Sequence, residues 1–272
     1  MCVIAYKPMN EKFMSKKTLL QCFKSNPDGA GYMFPTDGKV HIRKGFMDFQ
    51  SFWESLKNTR AEYGDSIPYV MHFRISTQAG VNPQCCHPYP LSPRMPDLKK
   101  LKVSSSIGIA HNGIIQLTSD KSIKEYNDTM KFITDYVTLL VKSVDWWKNP
   151  NIASALAVLC GSKLAVMGGD NHVELIGNFI LDKDDKCYYS NSSYQAPSWG
   201  KPSYCYDDEW EWYYDKKKKC YDFHDTYCPL IMDGDESYCS KCRSKMLCPT
   251  LNMLYEGRLD IDDGFEIDEA VQ

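Results

Sequence analysis

The sequence has no long hydrophobic run, no dominant charge and no recognisable export signal. None of its 272 residues belongs to a stretch near the ~20 apolar residues that a membrane span needs. The amino end lacks the basic segment followed by an apolar segment that marks a signal peptide. Its 32 lysines and arginines nearly balance its 35 aspartates and glutamates, which disfavours nucleic acid as a partner. We therefore expect a soluble cytoplasmic protein with no membrane partner.

The 12 cysteines are spread unevenly along the chain. Six lie between residues 2 and 187, and six lie between residues 205 and 248. Without an export signal, catalysis, metal binding and simple burial explain cysteines better than disulfides do. The change in density predicts a large domain over residues 2–195 and a small cysteine-rich module over residues 196–255. Residues 256–272 contain seven acidic side chains against one arginine, which predicts an acidic tail.

Short apolar runs alternate with turn signals over the first part of the chain. The runs with the composition of strands are CVIAY, AGYMF, KVHIRKG, PYVMHFRIS, SIGIAHNGII, KLAVMGG and HVELIGNFI. Two longer segments, 48–64 and 122–147, are predicted helices, since apolar side chains in the second recur every three or four residues. Many strands with few long helices favour an α+β fold in which helices cover sheets.

The cysteine directly after Met1 is the first candidate catalytic residue. Its small side chain favours removal of Met1, so we expect the mature chain to begin with Cys2. That residue would then carry a thiol nucleophile together with a free α-amine that can act as its base. The alternative is that Cys2 is only a small apolar residue at the start of a buried strand.

Three later segments carry groups that could bind a carboxylate, an oxyanion and an ammonium group. Arg74, in HFRIST, ends an apolar strand, where its guanidinium suits a carboxylate. Asn112 and Gly113, in AHNGII, lie where a strand breaks and offer a side-chain amide and a backbone N–H to an oxyanion. Asp128, in YNDTMKF, lies early in a predicted helix and suits an ammonium group. Taken singly, each also fits an ordinary role: a surface ion pair, a hairpin turn and an exposed helix acid.

Six elements in a fixed order resemble a known family. They are Cys2, the turn NPDGAGY, the strand HFRIST, the segment NPQCCHPYPL, the turn AHNGII and the helix start NDT. In this order they resemble the class II glutamine amidotransferases, which are N-terminal-nucleophile hydrolases, and in particular free-standing phage and bacterial members. The resemblance covers about residues 1–180. It departs at Asn127, where the family has the serine of an SDT element, and at ISTQAG, where many relatives have WATHG.

The resemblance implies a four-layer αββα sandwich and glutamine as the substrate. Cys2 would attack the side-chain amide of glutamine and form a γ-glutamyl thioester. Asn112 and Gly113 would hold the oxyanion that forms in this step. The α-amine of Cys2 would take the thiol proton and return it to the departing ammonia.

The resemblance also assigns the residues that recognise glutamine. Arg74 would bind its α-carboxylate and Asp128 its α-ammonium, with Thr77 as a further substrate-binding residue. Since the α-amine already supplies a base, three nearby histidines are interpreted as structural or pocket-rim residues: His72, His87 and His111.

Ammonia released by such an enzyme needs an acceptor. The sequence has no GxxxxGK[ST] motif and no synthetase-like domain, so we expect a separate partner enzyme to use the ammonia. One alternative is an amide hydrolase of the same fold that acts on another γ-glutamyl or acyl amide. The other is a non-catalytic protein that binds partners through its carboxyl-terminal module or acidic tail.

The cysteine-rich module carries a second candidate site. Cys239 and Cys242 have the spacing of a zinc knuckle, and Cys228 lies upstream before a Pro-Leu pair. The fourth ligand is chosen from three residues, with the first preferred: His224, Cys220 and Cys248. Four protein ligands would make a structural zinc site that stabilises a small module. The other interpretation is a set of reduced, partly buried thiols.

Overall fold

A computed structural model describes residues 2–76, 79–119 and 125–195, which form a mixed α+β fold with two antiparallel sheets. In chain order the strands are β1 (Val3–Lys7), β2 (Ala30–Thr36), β3 (Lys39–Phe46), β4 (Tyr69–Phe73), β5 (Tyr89–Pro90), β6 (Lys102–Ser105), β7 (Ile107–Asn112), β8 (Lys163–Gly168), β9 (Val173–Ile176), β10 (Ile180–Leu181) and β11 (Tyr188–Tyr189). The seven-stranded sheet has the order β10-β11-β1-β4-β2-β3-β6. The four-stranded sheet has the order β5-β7-β8-β9.

Helices connect and flank these strands. In chain order they are α1 (Lys16–Ser25), α2 (Phe49–Tyr63), α3 (Met95–Leu98), α4 (Asp128–Phe132), α5 (Thr138–Leu140) and α6 (Pro150–Cys160). A π-helical turn over Ile133–Val137 joins α4 to α5. Short 3₁₀ turns cover Pro83–Cys85, Gln116–Thr118, Trp146–Lys148 and Ser192–Tyr194.

The buried side chains fall into three clusters that follow the alternation of the strands. Val3 and Ala5 of β1 pack with side chains of α1 and α2, such as Leu19 and Phe52. Ile4, which points the other way, belongs to a second cluster that contains residues of both sheets. The third cluster contains the other face of the four-stranded sheet together with α4 and α6. Both faces of β1 are therefore buried.

The β2–β3 turn and the two ends of α2 are formed by residue types that suit these positions. The turn between β2 and β3 places Asp37 at φ 51° and Gly38 at φ 70°, the left-handed pair that a two-residue hairpin prefers. Asp48 caps α2, where its carboxylate accepts the Ser51 N–H at 2.8 Å. At the far end of that helix, Gly64 adopts φ 69°.

Most of the predicted strands are confirmed. Of the two predicted helices, the one over 48–64 is confirmed as α2. Strand β4 ends at Phe73, so Arg74 lies just beyond it. The helix predicted over 122–147 is wrong in length, because helical structure starts at Asp128 and α5 ends at Leu140. Three helices, α1, α3 and α6, are absent from the sequence-based prediction.

Within the described ranges, no helix combines the length and apolar character that crossing a bilayer requires. The predicted cysteine-rich module over 196–255 and the acidic tail over 256–272 lie outside the described residues.

Candidate active site

One small pocket brings together residues from five separate segments. It is lined by Cys2, Arg74, Ile75, His87, His111, Gly113, Asn127, Asp128 and Thr129. Four of the predicted site residues are therefore neighbours, although the first and the last are more than 120 positions apart in the sequence. The cavity volume is about 20 Å³, which is room for about one water molecule.

Cys2 owes its position to the pairing of β1 with β4. Val3 lies opposite Phe73, so the residue before β1 lies beside the residues that follow β4. The Cys2 thiol donates to the Ile75 carbonyl at 3.4 Å, and the Ile75 N–H donates to Sγ at 3.3 Å. Burial raises the pKa of the Cys2 thiol, while the Ile75 hydrogen bond and the charge of Arg74 oppose that increase. The side chain is half-buried.

Arg74 is held by a loop from the neighbouring strand. Its N–H donates to the Gly29 carbonyl at 2.8 Å, and its carbonyl accepts the Asp28 N–H at 2.9 Å. The Asp28 carboxylate accepts the Ser76 N–H at 2.7 Å, and Arg74 Nη2 donates to the Ser76 hydroxyl at 3.1 Å. Arg74 is only 3% exposed, so its guanidinium places a positive charge in a site with little water.

Asn112 and Gly113 lie at the end of β7, in the other sheet. Gly113 lines the pocket and has φ 147°, a conformation that L side chains rarely adopt. Asn112 is buried next to it but does not itself line the pocket. Its Nδ2 contacts the Ser190 hydroxyl at 2.8 Å. The predicted oxyanion pair is thus adjacent to the thiol-bearing pocket, with the amide turned towards Ser190.

Asp128 is the first residue of α4, and its carboxylate faces the pocket. Oδ2 accepts the Ile115 N–H at 2.7 Å and Oδ1 accepts the Thr129 N–H at 2.8 Å. Asn127 caps the helix, since its Oδ1 accepts the Met130 N–H at 2.9 Å. Serine and asparagine both suit an N-cap, so asparagine at position 127 is compatible with this helix start.

Two buried histidines, His87 and His111, line the pocket, and the ring of buried His72 lies 4.2 Å from that of His87. His111 contacts the Thr129 hydroxyl through Nδ1 at 2.8 Å and the Ser162 hydroxyl through Nε2 at 2.7 Å. Burial lowers the pKa of His111 to about 4 and that of His72 to about 3, and it lowers the pKa of His87 well below its usual value. All three imidazoles are therefore neutral near pH 7 and are too weakly basic to hold a proton there.

Ser190 and Asn191 are site residues that the sequence alone did not identify. The Ser190 hydroxyl accepts the Ile4 N–H at 2.8 Å, and Asn191 Nδ2 donates to the Cys2 carbonyl at 2.6 Å. Lys163 donates from Nζ to the Ser190 carbonyl. The polar composition from Ser190 onward is typical of a linker or loop. Tyr188–Tyr189 add a strand beside β1, and this pairing brings the next two residues to the site. The two tyrosines before the polar stretch favour a strand but do not reveal which strand it pairs with.

The other predicted site residues lie outside the described ranges. Thr77 and the proposed zinc ligands lie outside them: His224, Cys228, Cys239 and Cys242. In the described part of the chain, no group of three or more His, Cys, Asp or Glu side chains could hold a metal ion. The cysteines of that part, Cys2, Cys22, Cys85, Cys86, Cys160 and Cys187, are free thiols.

Comparison with known proteins does not assign the chain to a family. No model of a protein family matches it, and no curated protein matches it significantly.

Proposed function

We propose that this protein hydrolyses the side-chain amide of glutamine through Cys2 and supplies the ammonia to an acceptor. One observation carries the proposal: a half-buried cysteine, a buried arginine, a glycine and a buried aspartate line the same pocket. These residues are Cys2, Arg74, Gly113 and Asp128. A nucleophile with two opposite charges beside it suits an amide substrate that carries both an α-carboxylate and an α-ammonium.

We further propose the αββα sandwich of the N-terminal-nucleophile hydrolases as the fold. Support comes from the three core clusters, since one joins the two sheets and the other two join a sheet to helices. Two antiparallel sheets are consistent with this arrangement.

The pocket itself points to the α-amine of Cys2 as the base. Since burial raises the pKa of the thiol, it is protonated near pH 7 and needs a base before it can attack. His87 and His111 line the pocket, but burial lowers the pKa of both far below 7. An α-amine, with an ordinary pKa of about 8, matches the task once Met1 is removed.

Each remaining pocket group has a task in this reaction. The thiolate attacks the amide carbon, and the Gly113 N–H with the Asn112 amide stabilises the oxyanion. The ammonium formed at Cys2 returns its proton to the leaving ammonia, and water then hydrolyses the γ-glutamyl thioester. Arg74 and Asp128 bind the two charges of the amino-acid head group.

Glutamine requires a wider pocket than the one described. A volume of about 20 Å³ fits about one water molecule, so lining side chains must move before the substrate enters. The ammonia would then pass to a separate partner enzyme, and a structural zinc in the carboxyl-terminal module remains part of the proposal.

Ammonia release from glutamine by the full-length protein tests the proposal. Intact mass should show that active protein lacks Met1, and the Cys2→Ala variant should fold but release no ammonia. A glutamine analogue with an electrophilic diazoketone should alkylate Cys2, as mapped by peptide mass spectrometry. Five thiols of the described part serve as internal controls because they are buried: Cys22, Cys85, Cys86, Cys160 and Cys187.

Two outcomes would contradict the proposal. Active protein that retains Met1 would eliminate the α-amine as base. Equal cleavage of glutamine and N-acetylglutamine would show that Asp128 does not receive an ammonium group, and would favour a general amide hydrolase. Asp135→Asn is the matched control for Asp128→Asn, since Asp135 is an exposed acid whose contacts among the described residues are with Lys131 and Thr134.

A further inference from the structure

The hydroxyl of Ser190 joins the strand of the nucleophile to the predicted oxyanion residue. Ser190 is fully buried, and its Oγ accepts the Ile4 N–H at 2.8 Å. The same Oγ lies 2.8 Å from Nδ2 of Asn112, which belongs to the other sheet. One hydroxyl therefore connects β1, which follows Cys2, with β7, which ends at Asn112.

The hydrogen bonds around this hydroxyl are incomplete as they stand. With Nδ2 of Asn112 facing Ser190, both neighbours of Oγ are donors, and the hydroxyl proton has no acceptor among the described residues. Asn112 Oδ1 is buried and, among the same residues, has no donor. A buried donor and a buried acceptor left unpaired are both unfavourable, because each has given up its hydrogen bonds to water.

A half-turn of the Asn112 amide pairs both groups at once. The amide oxygen and nitrogen have nearly the same shape, so the rotation exchanges them without other movement. Ser190 then donates its proton to Oδ1 while it still accepts the Ile4 N–H. Nδ2 leaves Ser190 and takes the buried position of Oδ1, so its two N–H groups now need another acceptor.

We propose that Ser190 is a positioning residue that holds the Asn112 amide with Nδ2 turned away from it and available to the oxyanion. The proposal rests on the function proposed above. The backbone of Ser190 is fixed by its N–H, which donates to the Ile4 carbonyl at 2.9 Å, and by Lys163, which donates to its carbonyl. Since Asn191 also holds the Cys2 carbonyl, one dipeptide aligns the nucleophile and the oxyanion donor.

The test is a double-mutant cycle on glutamine hydrolysis by the full-length protein. Ser190→Ala should lower kcat about 10- to 100-fold and change KM less than about threefold, because an oxyanion donor acts mainly in the transition state. In an Asn112→Ala background the same substitution should have almost no further effect on kcat. Ser192→Ala is the matched control, since Ser192 is exposed two positions away, and it should leave both constants unchanged.

Ser190→Cys keeps the size of the side chain but is a weak donor, so it should lower kcat even if Ser190→Ala does not fold. Unchanged kcat in active Ser190 variants, or an equal loss of kcat in the Asn112→Ala background, would overturn the positioning role and leave the proposed function intact. Wild-type protein that neither releases ammonia nor reacts with the diazoketone analogue would overturn both proposals.

Discussion

Replacing Gly113 by alanine tests whether the end of β7 has room for a side chain. A Cβ at this position would lie 2.5 Å from Ser162 Cβ and 2.8 Å from Ser162 Oγ. Both distances are far below ordinary contact, so β7 or the Ser162 segment must shift, which costs about 1–3 kcal/mol. The backbone has φ 147°, and holding an L residue in such a region costs a further amount of about 1–3 kcal/mol.

We therefore expect Gly113→Ala to lower the free energy of unfolding by about 2–6 kcal/mol, measured by urea unfolding. Gly161→Ala is the matched control, because Gly161 has φ 61° but no atom within 4 Å of its added Cβ. The Gly161→Ala variant should lose only about 1–2 kcal/mol of unfolding free energy, because an alanine there is strained in the left-handed conformation. A Gly113→Ala variant no less stable than Gly161→Ala would refute the close-approach argument.

A cycle with Ser162→Gly separates the clash from the backbone strain. Ser162→Gly alone should destabilise the protein, since the hydroxyl contacts His111 Nε2 at 2.7 Å. The double variant should be less destabilised than the sum of the two single variants by about 1–3 kcal/mol. Strict additivity would show that Gly113 and Ser162 do not crowd each other, and the steric part of the reasoning would then be wrong.

Two further predictions concern a helix cap and the buried histidines. Asp48→Ala should cost about 1 kcal/mol in urea unfolding, because α2 loses the cap on the Ser51 N–H, whereas Asp48→Asn should cost less. Burial lowers the pKa of His72 to about 3 and of His111 to about 4, so below pH 6.5 the unfolded chain binds more protons than the folded one. Stability should therefore fall as the pH drops from 6.5 towards 4, and equal urea midpoints at pH 7 and pH 5 would contradict this.

The strand pattern was readable from the sequence because β-branched and aromatic residues alternate with turn residues. Helix α6 could not be predicted from periodicity, because its residues are apolar almost throughout and show no clear helical period. Its ends nevertheless carried signals: Asn149 caps it, Pro150 begins it and Gly161 ends it in the left-handed conformation. Capping residues would have identified this helix where periodicity could not.

Some residues of the candidate site could likewise be predicted from the sequence, and others could not. Cys2, Arg74 and Asp128 are visible in the sequence because each lies in a short motif of matching chemistry. Ser190 reaches Asn112 across 78 positions, and its role depends on the pairing of β11 with β1. No local pattern encodes such a contact, since it exists only when both strands have found their partners.

The pairing of β1 also sets an order of events during protein synthesis. Its partners β4 and β11 are translated later, and roughly 60 residues must be added after β1 before β4 exists, which takes about 3–12 s at ordinary ribosome speeds. During that time the segment that forms β1 is unpaired, and an aminopeptidase can bind the residues before it. Once β4 docks, the residue before Val3 lies beside a buried strand. On the proposed function, chains that keep Met1 after rapid overproduction would lack the free α-amine of Cys2 and with it the base of the reaction.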